Sequence, residues 1–192
     1  MRRQAWAAAV IPVLLAGCNA PDDAAPTPDK DVTAAEASTS TGYEATEPSA
    51  VANLETASGV AAGKAAAVPM KESVLLTLQV EGLPPGRHGV HVHMVGKCDP
   101  PGFESAGSHW NPSGARHGLE APEGQHAGDM PNLVVKDDGK GTLAYELRGA
   151  TFAGLLDADG SAMVVHASAD DQKTDPSGNS GDRIACGIFR SG

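Results

Sequence analysis

The chain carries seven histidines, at positions 88, 91, 93, 109, 117, 126 and 166. In "GVHVHMVGKC" (Gly89 to Cys98), His91 and His93 stand two apart among valines. In a strand, residues i and i+2 share a face, so the two imidazoles project together and can grip one metal ion. Alone, such a pair is more often structural or solvent-exposed than a ligand. The other histidines change that reading. His109, His117 and His126 follow at spacings of eight and nine, Asp129 comes three after His126, and His166 ends a strand-like run. A loop with few apolar anchors but three histidines and a carboxylate reads as a loop ordered by metal. His88, three before His91, faces the other way in a regular strand and reads as a hydrogen-bonded structural histidine.

These side chains need a scaffold. The chain has 192 residues, 4% aromatics, 23 glycines and a net charge of −10. One turn-rich all-β domain with extensions fits, and the charge argues against nucleic acid as a partner. The domain begins near Val51. "SVLLTLQV" (Ser73 to Val80) alternates, with Val74, Leu76, Leu78 and Val80 on one face. "GLPPG" turns the chain, and residues 87–95 read as the next strand. Residues 96–131 form a long glycine- and proline-rich loop, and a loop that long in a compact domain is usually functional or disordered. "NLVVK" and "GTLAYEL" flank the hairpin signal "DDGK". "SAMVVHA", a second long loop and "IACGIF" complete the domain. Many short strands joined by turns predict a sandwich or barrel.

The N-terminus is a separate matter. Arg2 and Arg3 precede a short apolar run that ends at Leu15-Ala16-Gly17-Cys18. This pattern resembles a bacterial lipobox, in which residues 1–18 carry the signal and cleavage leaves Cys18 as a lipidated N-terminus on a membrane. The alternative is a plain secretory signal in which Cys18 is incidental. Either way the chain is exported, and disulfides are permitted. Residues 19–49 hold seven acidic residues, one lysine and almost no large apolar side chain, so they read as a flexible acidic tether. The folded domain spans 50–192.

Taken together, "HGVHVHMVGKC", "SAGSHWNPSGARHG", "HAGDMPNL", "VVHASADD" and "PSGNSGDRIACGIF" resemble the copper/zinc superoxide dismutase family, in its bacterial envelope form. The resemblance covers most of the chain from His88 to Phe189 and is weaker before it. It implies a Greek-key flattened β-barrel or sandwich of about eight strands with two long functional loops. It implies copper on His91, His93, His109 and His166, and zinc on His109, His117, His126 and Asp129. His109 is then a bridge, since an imidazole has two nitrogens. Asp170 resembles the carboxylate linking a copper histidine to a zinc histidine, Arg183 the residue that guides the anion, and Cys98 and Cys186 the family's disulfide pair.

The activity implied is the conversion of two superoxide anions and two protons to dioxygen and hydrogen peroxide. Copper carries the electron, His109 carries a proton, and zinc holds the bridge and the loop. The location implied is the cell envelope, periplasmic or on the outer face of a bacterial membrane. One departure is Met94, which stands where an acidic residue often follows the histidine pair. It alternates with His93 and reads as a packing methionine. A non-catalytic copper/zinc-binding envelope protein on the same fold is the alternative. The oligomeric state is open.

Overall fold

The computed structural model describes residues 49–122 and 124–192. The expected signal segment, Cys18 and the tether up to residue 48 lie outside the described residues.

The described residues form ten strands: β1 (Ala50–Thr56), β2 (Ala61–Pro69), β3 (Ser73–Val80), β4 (Gly86–His88), β5 (Val90–His93), β6 (Leu133–Val135), β7 (Gly141–Arg148), β8 (Ala162–His166), β9 (Arg183–Ile188) and β10 (Arg190–Ser191). The one α-helix among the described residues, α1, is a single turn at Phe152–Leu155, with Thr151 as its side-chain cap. An eight-stranded antiparallel sheet runs β5-β8-β9-β1-β2-β3-β7, with β10 beside β1, and β4 pairs with β6 in a second, two-stranded sheet. Non-consecutive neighbours such as β9 beside β1 and β3 beside β7 are the crossovers of a Greek-key barrel.

The alternation read in Ser73–Val80 is real: Val74, Leu76 and Leu78 are fully buried in one core with Leu54, Leu133, Leu147 and Met163. β1 and β2, which sequence pattern did not reveal, complete that core through Ala50, Ala52, Ala62, Ala65 and Ala67. Alanine is a weak strand former with little side chain to set an alternation, so these strands exist through their neighbours rather than their own preference.

The single strand expected over residues 87–95 is two. Gly89 breaks it, sending β4 to β6 and β5 to β8. The break has a steric reason. A Cβ at Gly89 would meet the Ser180 side chain at 2.8 Å and that of Asp170 at 3.2 Å, because the second long loop presses against the chain there.

Candidate metal centre

β5 is an end strand of the eight-stranded sheet, yet it is buried along its whole length, so His91 and His93 project from a rigid element rather than a loop. The long loop then folds back along the same strand. Isolated bridges pair His91 with Asp129 and His93 with His109, which sets loop residues beside strand residues. His166, at the end of β8, reaches the same region across the β5–β8 ladder.

Two sets of side chains converge, and all seven residues are buried. The ligand atoms of His91, His93, His109 and His166 lie within 4.8 Å of one another, as do those of His109, His117, His126 and Asp129. The sets share His109. Opposite nitrogens around a metal at ~2.0–2.1 Å stand about 4 Å apart, so each set is close to ligating distance.

Hydrogen bonding tests whether these residues fit metals. His91 Nδ1, His93 Nε2, His109 Nε2 and His166 Nε2 are buried without a partner. Four such orphans, one from each member of a convergent set, are what an ion would satisfy, since buried polar atoms are otherwise almost always bonded. The other ring nitrogens are engaged. His93 Nδ1 faces the Gly107 carbonyl at 2.8 Å and His166 Nδ1 faces that of Gly181 at 3.1 Å. These contacts fix the tautomer and leave Nε2 free to ligate.

In the second set, Nδ1 of His109, His117 and His126 approach one oxygen, Asp129 Oδ1, at 2.9, 3.1 and 3.2 Å. Three imidazoles on one carboxylate oxygen match the donor set of a tetrahedral zinc site. Asp129 Oδ2 accepts from the amides of Gly118 and His126. His109 therefore points Nδ1 into one set and Nε2 into the other.

Asp170 joins the sets from behind. Its Oδ2 lies 2.6 Å from His91 Nε2 and its Oδ1 lies 3.0 Å from His117 Nε2. Asn132 was not singled out by sequence. Its side chain donates to the Asp170 carbonyl (2.8 Å) and accepts from the Asp170 amide (2.7 Å), clamping that backbone. Asp175, which sequence did not single out either, accepts from the His117 amide at 2.6 Å as well as from Arg116. Local spacing carries no signal for either contact, because both span long sequence separations.

Burial sets the protonation of the first set. It pushes His91 down to about 3, His166 down to about 4, and His93 and His109 below the ordinary histidine value. These rings are neutral near pH 7, with lone pairs ready for a metal. Burial acts on His117 in the same sense, but its hydrogen bonds to Asp129 and Asp170 outweigh it and raise the ring to about 9. Burial alone would raise the two carboxyls, yet their histidine partners hold both well below the usual carboxylate range.

Cys98 and Cys186 form a disulfide with a Cα–Cα distance of 5.7 Å. The loop it anchors carries the two carbonyls that hold Arg183: Nη1 donates to Phe103 O at 2.6 Å and Nη2 to Gly107 O at 2.8 Å. The Gly107 carbonyl thus serves both Arg183 and His93. His88 plays the structural part expected of it, its ring nitrogens facing the carbonyls of His166 (2.8 Å) and Pro84 (2.9 Å). Met94 is not the packing residue expected. It is 47% exposed, because β5 ends at His93 and the side chain leaves the sheet.

Fold and site together define an antiparallel β-barrel with two buried, histidine-rich donor sets that share His109 and could each hold a metal ion. Residues 59–189 match the copper/zinc superoxide dismutase (SODC) family. The chain is 42% identical over 145 residues to copper/zinc superoxide dismutase 2 of Aquifex aeolicus, covering 72% of this chain and 85% of that one. With the copper/zinc superoxide dismutase of Caulobacter vibrioides it shares 41% identity over 149 residues, 74% of this chain and 86% of that one. The crystal structure of a SOD-like protein from Bacillus subtilis superimposes with a TM-score of 0.68 at 39% identity, over 72% of this chain and 96% of that chain. The chain belongs to the copper/zinc superoxide dismutase family, whose metals are copper and zinc.

Proposed function

We propose that this protein disproportionates superoxide at a copper held by His91, His93, His109 and His166, beside a zinc held by His109, His117, His126 and Asp129. The observation that carries this reading is the set of four buried, partnerless imidazole nitrogens on one point, with the other nitrogen of His109 turned to the carboxylate-bearing set. Neutral imidazoles suit copper, and a three-histidine, one-carboxylate set with no open position suits structural zinc.

Copper, when bound, supplies the electron exchange that turns one superoxide into dioxygen and a second into hydrogen peroxide. The residues do the rest. Arg183, a permanent cation fixed by two carbonyls, draws the anion toward the centre. His109 Nε2 is placed to hold the proton delivered to the product, while its Nδ1 stays with the second set. Asp170 and the carbonyls of Gly107 and Gly181 keep the rings in one tautomer and one orientation. The disulfide needs an oxidising compartment, in keeping with export. The division into a signal (1–18), a tether (19–49) and a catalytic domain (50–192) completes the reading, with lipid on Cys18 holding the domain at a bacterial membrane.

The test is the rate of superoxide consumption by purified protein of known metal content, with His109→Ala and His117→Ala alongside. Activity should track copper. His109→Ala should alter the copper spectrum and weaken both sites, and His117→Ala should mainly lose zinc. Full copper loading without activity would favour a metal-binding role, and an unchanged copper spectrum in His109→Ala would remove the bridge.

A further inference from the structure

Met94 stands exposed beside the donor sets without a part in holding metal or guiding the anion. Of the chain's five methionines, Met1 lies outside the described residues, Met130 and Met163 are fully buried, and Met70 and Met94 are 52% and 47% exposed. Met70 lies in the turn between β2 and β3, strands that carry none of the donor residues. Met94 directly follows His93 and lines a cavity of about 430 Å³ together with His109 and His126. That space is many times the ~30 Å³ of a water molecule, so a molecule the size of hydrogen peroxide reaches the thioether and the edges of two donor rings from one pool of solvent.

The segment around Met94 is tied to the loop that carries His109. The Met94 amide donates to the Ser108 carbonyl at 3.0 Å and the Val95 amide to that of Ala106 at 3.1 Å, beside the bridge between His93 and His109. One side of the Met94 side chain covers Gly107. A Cβ at that glycine, whose φ is 74°, would lie 3.2 Å from Met94 Cγ and 3.9 Å from its Sδ. The Gly107 carbonyl is the one that holds both His93 Nδ1 and Arg183 Nη2. An oxygen added to the Met94 sulfur turns this apolar cover into a polar one. The amides of Met94, Val95 and Gly107 are already engaged, the last with the Glu104 carbonyl at 3.0 Å, so the new oxygen takes its hydrogen bonds from water. The side chain then leaves Gly107, and water gains access to the carbonyl that aims the His93 ring.

We propose that Met94 is a site of oxidation by hydrogen peroxide, and that its sulfoxide loosens His93 and lowers turnover. The sulfur lone pair attacks one peroxide oxygen, and the O–O bond breaks as the S–O bond forms. Sulfur gives up two electrons, and the departing oxygen leaves as water with both peroxide protons. No metal or further reductant takes part. For its source of peroxide the proposal rests on the reading of the centre as a superoxide dismutase, whose product peroxide is, so the modification is a feedback of product on the site.

The test oxidises the full, zinc-loaded, copper-free chain with hydrogen peroxide, because zinc has no redox chemistry with which to damage the donor rings. Peptide mass mapping should find one added oxygen on Met70 and on Met94 and none on Met130 or Met163. Copper is then loaded after the peroxide is removed. The rate of superoxide consumption per copper should be about two- to fivefold lower than in untreated protein, a smaller effect than the ~10–100-fold of groups that bond a ligand directly, since Met94 acts through Gly107. The copper spectrum should shift as His93 loosens. Methionine sulfoxide reductases for both epimers should restore rate and spectrum. Met94→Leu keeps the side-chain volume and has no sulfur. Treated in the same way, with Met70 oxidised, it should keep its untreated rate and spectrum, whereas Met70→Leu should respond as the native protein does. The proposal is overturned if Met94 stays unoxidised while Met70 reacts, if the Met94 sulfoxide leaves the copper spectrum unchanged, or if Met94→Leu responds like the native protein. Failure of untreated, copper-loaded protein to consume superoxide is a different result. It removes the reading of function and the source of peroxide, while the copper spectrum still decides whether Met94 acts on His93.

Discussion

Replacing both cysteines, Cys98→Ser with Cys186→Ser, tests what holds the active-site loop in place. The disulfide joins residues 88 apart in sequence. On the chain-entropy relation, closing a loop of that length removes about 4.6 kcal/mol of unfolded-state freedom at 25 °C. For a domain of this size each kcal/mol shifts the melting temperature by roughly 3 °C, so the double variant should melt about 14 °C lower. Calorimetry of the metal-free proteins isolates this term from the contribution of bound ions. The variant should also lose rate beyond its loss of stability. The freed loop carries the Phe103 and Gly107 carbonyls that fix Arg183, so copper content should survive while turnover falls. Melting within roughly 3 °C of the native protein would refute the entropic argument, and an unchanged rate per copper would refute the coupling to Arg183.

Two further outcomes follow from the site. The metal-free protein should be most stable near pH 6.5: His91 and His166 are lowered to about 3 and about 4, so the unfolded chain binds more protons and stability falls as pH drops below about 6.5. His117 is raised to about 9, so its contribution is present below about 6.5 and is lost as pH rises through 9; denaturant melts that climb steadily from pH 5 to 9 would contradict this. Asp170→Asn leaves only one carbonyl oxygen to serve two imidazoles, and Asn132→Ala frees the backbone that aims it; each should weaken zinc by roughly 10–100-fold, measured by competition with a chelator, and no change in either would take Asp170 out of the account.

How much of this was legible in the sequence depends on the length scale. That the histidines and Asp129 come together was legible because histidine is rare in the chain and the loop between residues 96 and 131 had no apolar reason to order itself; their division between copper and zinc was implied only by the family resemblance. β3 was legible because Leu76, Leu78 and Val80 alternate with Thr77 and Gln79. β1 and β2 were not, since alanine runs carry almost no periodic signal and gain their burial from β3 and β9. The break at Gly89 was hidden for a related reason. It answers to Ser180 and Asp170, both far along the chain. The same holds for Asn132, Asp175 and the shared carbonyl of Gly107. Each acts through a backbone atom or a distant partner, and side-chain spacing does not record such contacts. Met94 was misread because alternation says which way a residue points only while the strand continues, and β5 stops one residue earlier.

The central claim is that one ring, His109, serves two different metals. Anomalous diffraction from crystals of the metal-loaded protein, collected at the copper and zinc absorption edges, tests it most directly. The account predicts copper at Nε2 of His109 with His91, His93 and His166, and zinc at Nδ1 of the same ring with His117, His126 and Asp129. Two ions that share no histidine, or a single ion in either pocket of fully loaded active protein, would contradict it.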